Sequence, residues 1–539
     1  MTWQIRHAYP FLFAIIPVVR LVAAYPGWVE LDDAAIVTTA VLVVCGVVYG
    51  LALLATRRWG RRLPPLLLLG LVLAFWVYVR VAAFLERRTS VSNDVLFPLW
   101  VAATVGIIWW LVRRPALLDR AESFLTLTGG LLLGWFVLSI GVARYRSEQA
   151  LRDSAVVRRA TEPIRVRPGA MVGPKRDIYL IVLDEYANAE VTGRLFGFDN
   201  HVFLDSLRQL GFVVPAVHSN YLHTFLSLPS LLNASHIAGL AGELGPRSID
   251  RTLTDHLVRH NRTVPFLKSQ GYRYAFFPTL SWEATQHDPR ADLEFDPGLE
   301  WSPARVVKRS DFRQVLNKTS LLKFVNWETS PLVRRHVERV FAGMSQVPKV
   351  PGPVFTFAHV MSPHSPYLFD RNCRPTPSES AASRAKHVGP SYVGQIQCIN
   401  RMVLDLVGTV LRTSEIPPVI LLQGDHGSKT LLPYKDRTPE AITLAAAKER
   451  LGAFGAYYLP DHGSEVFGDS VTVVNVMGNV LRHYVGADLA RQPDDLYLST
   501  HNAPYAFKRV DFAWLAREDW SVRSAAVRQV VVPVFTNGR

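Results

Sequence analysis

Five apolar stretches crowd the first 145 residues, at roughly 9–25, 35–56, 63–84, 95–112 and 123–143. Each is about long enough to cross a hydrocarbon core of roughly 30 Å at about 1.5 Å per residue. The pattern therefore predicts a transmembrane domain of five helices over residues 1–145. A cleaved leader fits less well, because the first stretch lacks a small-residue cleavage site and four more spans follow it. Residues 146–175 have no sustained apolar face and are rich in Arg, Ser, Ala and Pro; they read as a juxtamembrane helix and an extended linker ending near Pro174.

From Asp177 the pattern changes, and short apolar runs alternate with amphipathic segments. Strands are predicted at Ile178–Leu183, Arg273–Phe277, Val354–His359, Val419–Gln423 and Phe454–Leu459. Helices are predicted at Val202–Leu210, Thr224–Leu232, Val264–Ser269, Ser391–Leu411, Glu440–Arg450 and Thr472–His483. This alternation predicts an α/β domain over residues 176–539, with a central, mostly parallel sheet and helices on both faces. Ligands of such sheets lie beyond the carboxyl ends of the strands.

Loop charge orients the spans. Arg57, Arg58, Arg61 and Arg62 lie between spans two and three, and Arg113, Arg114 and Arg120 between spans four and five. The other loops hold Glu30, Asp32 and Asp33, or the mixed set Glu86, Arg87, Arg88 and Asp94. The positive-inside rule places the N-terminus in the cytoplasm and the chain after about residue 145 outside. The net charge of +14 and the pI of about 9.7 do not imply nucleic-acid binding, since many arginines set topology and an outside domain meets little nucleic acid. Anionic lipid headgroups or glycans are the expected attraction. Arg20 and Arg80 lie near the outer ends of spans one and three. Each either snorkels or pairs with Glu30, Asp32 or Asp33, or binds the phosphate of a lipid.

Cysteine usage adds one expectation. Cys45 lies inside span two, whereas Cys373 and Cys398 lie in the outside domain, where a disulfide closing a loop of about 25 residues can persist. Two free thiols are the alternative.

The chemistry concentrates in four segments. Asp184 and Glu185 end the first predicted strand. Thr224 opens a predicted helix in Ser219-Asn-Tyr-Leu-His-Thr-Phe-Leu-Ser-Leu-Pro-Ser230. His359 and His364 lie in Phe355-Thr-Phe-Ala-His-Val-Met-Ser-Pro-His-Ser-Pro-Tyr367. Gly424-Asp425-His426-Gly427-Ser428-Lys429 follows the apolar run Pro417–Leu422. Carboxylates and an imidazole are metal ligands, and a helix N-terminus suits an anion. Taken singly, each segment is ambiguous: an acidic turn, a helix cap, a buried histidine, an ordinary turn.

Their order resembles the alkaline phosphatase/sulfatase superfamily, and within it the membrane-bound lipoteichoic-acid-synthase-like and phosphoethanolamine-transferase-like branch. The resemblance covers about residues 177–500, including Glu449–Pro460 and Val471–Leu481. It implies a sulfatase-like α/β sandwich outside a bacterial cytoplasmic (inner) membrane. It implies one divalent ion, Zn²⁺ or Mn²⁺ with Mg²⁺ as a third option, held by Asp184, Thr224, Asp425 and His426. Asp184 is preferred over Glu185 because successive strand residues point to opposite faces. Thr224 is the implied nucleophile, with Ser219, Ser227 and Ser230 as competitors. His364 is the implied contact to the transferred group, His359 a structural residue, and Lys429 a neutraliser of phosphate charge. The sulfatase Cys/Ser-x-Pro-x-Arg motif is missing at Thr224, so formylglycine chemistry is disfavoured. A second set of metal ligands cannot be placed; His218, His223 and His501 lack context.

The expected activity is transfer of a phospho-alcohol headgroup, phosphoethanolamine or phosphoglycerol, from a membrane phospholipid through a phospho-threonine to an envelope glycan or lipid. The alternatives are a hydrolase using water as acceptor and a non-catalytic relic. Donor headgroup, acceptor and oligomeric state are not legible.

Overall fold

A computed structural model describes residues 7–25, 29–57, 62–86, 88, 91–170, 173–280, 282–295, 311–324, 330–376, 388–432 and 438–520. Of the loop charges used for orientation, Arg58, Arg61 and Arg87 lie outside the described residues. The chain forms two compact units, Met1–Gln149 with Ser302–Trp327, and Ala150–Trp301 with Glu328–Arg539.

In the first unit, apolar helices run Tyr9–Ala24, Leu31–Ala55, Leu63–Trp76, Tyr78–Glu86, Asn93–Val112 and Pro115–Asp153. They cover the five apolar stretches. Three are long and apolar enough to cross a membrane, and Leu63–Trp76 with Tyr78–Leu85, bent by 47°, makes a fourth if the pair is one span. Tyr9–Ala24 has only 16 residues. Large apolar side chains such as Val44, Leu54 and Trp135 are exposed on these helices, as a lipid environment favours. The last helix runs on to Asp153, because the segment after Ala143 is rich in Arg, Glu, Gln and Ala, which are good helix formers. A short helix, Asp311–Thr319, also belongs to this unit. Its Phe312 and Leu316 join the apolar core of the first three helices, and Arg313 pairs with Asp33 at 2.5 Å.

The second unit holds twelve strands among the described residues: β1 Ile178–Leu183, β2 Phe212–Val213, β3 Ala216–His218, β4 Arg273–Phe277, β5 Leu293–Glu294, β6 Val354–Val360, β7 Val419–Gly424, β8 Gly452–Ala453, β9 Gly455–Tyr458, β10 Ser470–Thr472, β11 Leu496–Thr500 and β12 Ala503–Val510. The main sheet runs β2-β9-β7-β1-β6-β4-β5. β1 is central and parallel to both β6 and β7, and β9 runs antiparallel to β7. A continuous apolar run such as Ile178–Leu183 is what a strand covered on both faces requires. Its alternate residues divide between two cores: Ile178, Leu180 and Val182 pack on one face, and Tyr179, Ile181 and Leu183 on the other. Helices Thr224–Asn233 and Val473–Tyr484 contribute to the first core, and Ser330–Met344 and Val388–Thr413 to the second.

Register sets the site. Leu183 stands opposite both Val360 and Gly424. The residues that follow, Asp184 and Asp425, therefore leave adjacent strands at the same level, at the carboxyl edge of the sheet.

Candidate active site

Asp425 and His426 sit between two glycines for a steric reason. A Cβ on Gly424 would run into the Tyr186 carbonyl, and one on Gly427 into that of Glu449. The loop beyond is tied down by buried Glu449, whose Oε1 accepts from Ser428 Oγ at 2.7 Å and from Thr430 N at 2.7 Å. Asp184 is 1% exposed and Asp425 fully buried.

Helix Thr224–Asn233 is clamped against this loop. Ser219 Oγ and Ser227 Oγ both donate to the Asp425 carbonyl, at 2.7 and 2.6 Å, and Ser230 Oγ donates to the Ser227 carbonyl at 2.7 Å. The three rival hydroxyls are thus fully buried and committed to backbone carbonyls. Thr224, at the first position of the helix, is partly exposed. Its Oγ1 lies 3.0 Å from His426 Nε2, and its hydroxyl acts to lower the Asp425 carboxyl pKa.

Asp184, Asp425 and His426 bring one ligand atom each within 4.8 Å of one another. Asp184 Oδ1 and Asp425 Oδ2 are buried without hydrogen-bond partners, as is Nε2 of His359, which lies 3.4 Å from Asp184 Oδ2. Burial and the Asp184 charge push the Asp425 carboxyl up to about 7, and burial and Glu185 raise that of Asp184. Native proteins rarely leave such atoms unpaired. A cation would satisfy both carboxylates. His426 is ready for the same role: Nδ1 faces the Gly427 carbonyl at 3.2 Å, which leaves a lone pair on Nε2, where Arg450 Nη2 donates at 2.8 Å. The donor set fits a divalent ion.

Glu185 also turns inward. The strand's alternation does not apply to it, because it lies past the last residue of β1 with φ of 62°. That left-handed conformation is uncommon for a non-glycine residue. It is held by Glu185 N donating to Asp425 Oδ1 at 3.1 Å and Tyr392 Oη donating to the Glu185 carbonyl at 2.6 Å. The Glu185 carboxylate pairs with Lys429 at 2.7 Å and Arg450 at 3.0 Å. Burial opposes its charge, but His364, Lys429 and Arg450 outweigh it and hold the carboxyl at about 2. His364 Nε2 lies 2.7 Å from Lys429 Nζ and 3.8 Å from Glu185 Oε1.

The fold thus gathers Asp184, Thr224, His364, Asp425, His426 and Lys429. Arg20 and Arg80 belong to the first unit, where both are exposed. Cys373 and Cys398 are disulfide-bonded, with Cα atoms 4.9 Å apart. Sequence reading missed Arg450 and the inward turn of Glu185. A charged Glu449-Arg450 pair ending the apolar helix Leu444–Leu451 was the available signal for Arg450; nothing in the sequence signals the backbone of Glu185.

No protein-family model and no curated protein matches the chain. Among solved structures, it is similar to the integral membrane lipooligosaccharide phosphoethanolamine transferase A (EptA) of Neisseria meningitidis, at 12% identity and TM-score 0.40, over 89% of this chain and 94% of that one. It is similar to the C-terminal periplasmic domain of EcEptC of Escherichia coli, at 11% identity and TM-score 0.42, over 65% and 95%. A third likeness is to the lipoteichoic acid synthase LtaP of Listeria monocytogenes, at 10% identity and TM-score 0.38, over 69% and 93%. In the order of its motifs, Asp184, Thr224 and then Asp425-His426, the chain resembles the membrane-bound phosphoethanolamine-transferase-like and lipoteichoic-acid-synthase-like branch of the alkaline phosphatase superfamily.

Proposed function

We propose that this chain is a bacterial inner-membrane transferase with its catalytic domain on the periplasmic side. It moves a phosphoethanolamine or phosphoglycerol headgroup from a membrane phospholipid to an envelope glycan or lipid. The observation that carries this reading is the placement of one accessible hydroxyl, Thr224 Oγ1, against Asp425 and His426 at a helix N-terminus beside two unpaired buried carboxylate oxygens.

Asp184, Thr224, Asp425 and His426 would hold one divalent ion, and their mixed oxygen and nitrogen set suits Zn²⁺ or Mn²⁺. Such an ion supplies Lewis-acid polarisation of phosphoryl and hydroxyl oxygens. The chain's own groups do the rest. In the first displacement Thr224 Oγ1 attacks the donor phosphorus and the bond to the diacylglycerol oxygen breaks. The hydroxyl proton has the Asp425 carboxylate as its first acceptor. The departing diacylglycerol oxygen takes a proton from the Lys429 ammonium through His364, whose Nε2 lies 2.7 Å from Lys429 Nζ. In the second displacement the acceptor hydroxyl attacks the same phosphorus and gives its proton to His364 and Lys429, while the proton on Asp425 returns to the departing Thr224 oxygen, which gives ping-pong kinetics.

Mass spectrometry of Thr224 after incubation with bacterial phospholipids tests the reading. An added aminoethyl- or glycerophosphoryl mass is expected and names the headgroup. No adduct, with free headgroup released steadily, would make the chain a phosphodiesterase instead.

A further inference from the structure

Helix Leu444–Leu451 has a second face. Glu449 and Arg450 are turned into the reaction centre, through contacts with the Ser428–Leu431 loop and with His426. Lys448 and Gly452 instead line a separate cavity of ≈ 320 Å³, together with Asn188, Glu190, His218 and Phe512. The wall is thin. A Cβ on Gly427 would meet the Gly452 carbonyl at 2.8 Å, so the cavity backs onto the Asp-His-Gly loop. Gly452 is itself hemmed in, as a Cβ there would come within 2.7 Å of Val191 and 2.8 Å of the Lys448 carbonyl.

The lining is specific in character. Phe512 is 37% exposed and meets the His218 ring edge-on at 5.0 Å. Trp520 stands beside the cavity with Lys448 Nζ 5.1 Å from its ring. Burial holds His218 neutral, with its imidazole pushed down to about 4. One lysine engaged with an indole, facing one exposed carboxylate, offers an anion no net attraction. Phe512, Leu515 and Ala516 give the cavity an apolar side, but an acyl chain filling it would leave the amide, carboxylate and imidazole opposite without partners. What remains is a neutral ligand with apolar faces and many hydroxyls. A sugar ring is such a ligand: its C–H faces lie against aromatic rings, and its vicinal hydroxyls pair with planar amide and carboxylate groups.

We infer that the cavity among Asn188, Glu190, His218, Lys448 and Phe512 is a saccharide subsite that holds a non-reacting sugar of the acceptor. In naming the acceptor a glycan, it rests on the function proposed above. The cavity lies within the range of small-molecule pockets, and the Asp-His-Gly loop separates it from the reaction centre, so a ring held there is not the ring that reacts.

The test is binding without turnover, so it stands or falls apart from the transferase assay. The full-length protein, kept in a detergent that carries no sugar, is titrated with a panel of neutral mono- and disaccharides and, separately, with 2-aminoethyl phosphate. Saturation-transfer NMR reports contact, and tryptophan fluorescence is compared with that of Trp520→Phe. The expected result is saturable binding of at least one sugar, weakened fivefold or more by Phe512→Ala and by Glu190→Gln and unchanged in Thr224→Ala. No saturable binding by any sugar of the panel, equal binding in both pocket variants, or displacement of the sugar by 2-aminoethyl phosphate would overturn the inference.

Discussion

Asp184 and Glu185 are adjacent in sequence and buried together at the end of β1, 1% and 3% exposed. Their surroundings are opposite. Glu185 has gathered Lys429, Arg450 and His364, and their charges keep it ionised. Asp184 shares its cluster with Asp425, another carboxylate, and each keeps an oxygen without a partner. Both of these carboxyls are shifted towards the protonated form by burial, to which Asp184 adds at Asp425 and Glu185 adds, against His364, at Asp184. A buried charge is tolerated only when it is paired. The chain itself pairs Glu185; it leaves Asp184 and Asp425 to be neutralised from outside, by protons or by a cation. One half of the site is a finished electrostatic scaffold, and the other is built for something the chain does not contain.

The largest effects should fall on the unfinished half. Thr224→Ala and Asp425→Ala should each lower turnover by at least about 10³-fold, because residues that act as one unit fail together. Asp425→Ala and Asp184→Ala should also lose their metal by elemental analysis. Full activity in protein that contains no divalent metal would erase the distinction between the halves.

His364 belongs to the finished half by contact but is assigned to proton delivery. His364→Ala should cost about 10²–10⁴-fold on a phospholipid, in the range for general acids. The loss should shrink towards wild type on a nitrophenyl phosphodiester, whose leaving group needs no proton, and metal content should not change. An equal loss on both substrates would make His364 a phosphate contact and not the acid.

How much of this was legible in the sequence depends on which physical rule each residue obeys. Ile178–Leu183 and Val419–Gly424 are apolar runs of strand length, so the strands and the carboxylates at their ends could be read directly. Thr224 could be read as a helix start. The choice of Thr224 over Ser219, Ser227 and Ser230 could not, because it depends on which hydroxyls reach the Asp425 carbonyl across about 200 residues of chain. The inward turn of Glu185 was hidden for a similar reason. Strand alternation predicts the opposite face, and only the contacts from Asp425 and Tyr392 hold its left-handed backbone. The short strands β8 and β10 are two or three residues long and carry no periodicity to read. The hairpin β11–β12 was not among the predicted strands, although Leu496–Thr500 begins Leu-Tyr-Leu and its two leucines are buried. The return of Asp311–Thr319 to the first unit is likewise a tertiary event.

The finished half should reveal itself in stability. Glu185→Gln leaves Arg450 and Lys429 without their carboxylate, and breaking a buried pair by removing one partner costs on the order of 3 kcal/mol. The variant should unfold at lower denaturant while still binding its metal. Loss of metal with unchanged stability would move Glu185 into the ligand set. The unfinished half should respond in the opposite sense. Under chelation, Asp425→Asn should stabilise the protein at pH 8 by about 2 kcal/mol, since it removes one of two mutually repelling buried charges. A destabilised variant would show that Asp425 is paired within the chain after all.

Asp177, at the other end of β1, is the control for this comparison, because it is a half-buried carboxylate with no place in the site. Its Oδ1 accepts from Val354 N at 2.8 Å, which lowers its pKa, but burial is the larger influence and pushes the carboxyl from 3.8 up to about 6. The sign follows from proton counting. Between about pH 4 and pH 6 the folded protein holds a proton that the unfolded chain has lost, so stability falls as pH rises through that window and stays lower above it. Asp177→Asn keeps an oxygen for Val354 N and removes the titration. After allowance for the partial exposure of this carboxylate, the gain at pH 7 should be on the order of 1–2 kcal/mol, with no gain at pH 4. Because Asp177 is remote from the metal ligands, turnover and metal content should match wild type. Denaturant titrations at the two pH values measure the difference. An equal shift at both would mean that the Asp177 charge is already neutralised in the folded chain, and would weaken the same inference from burial at Asp184 and Asp425.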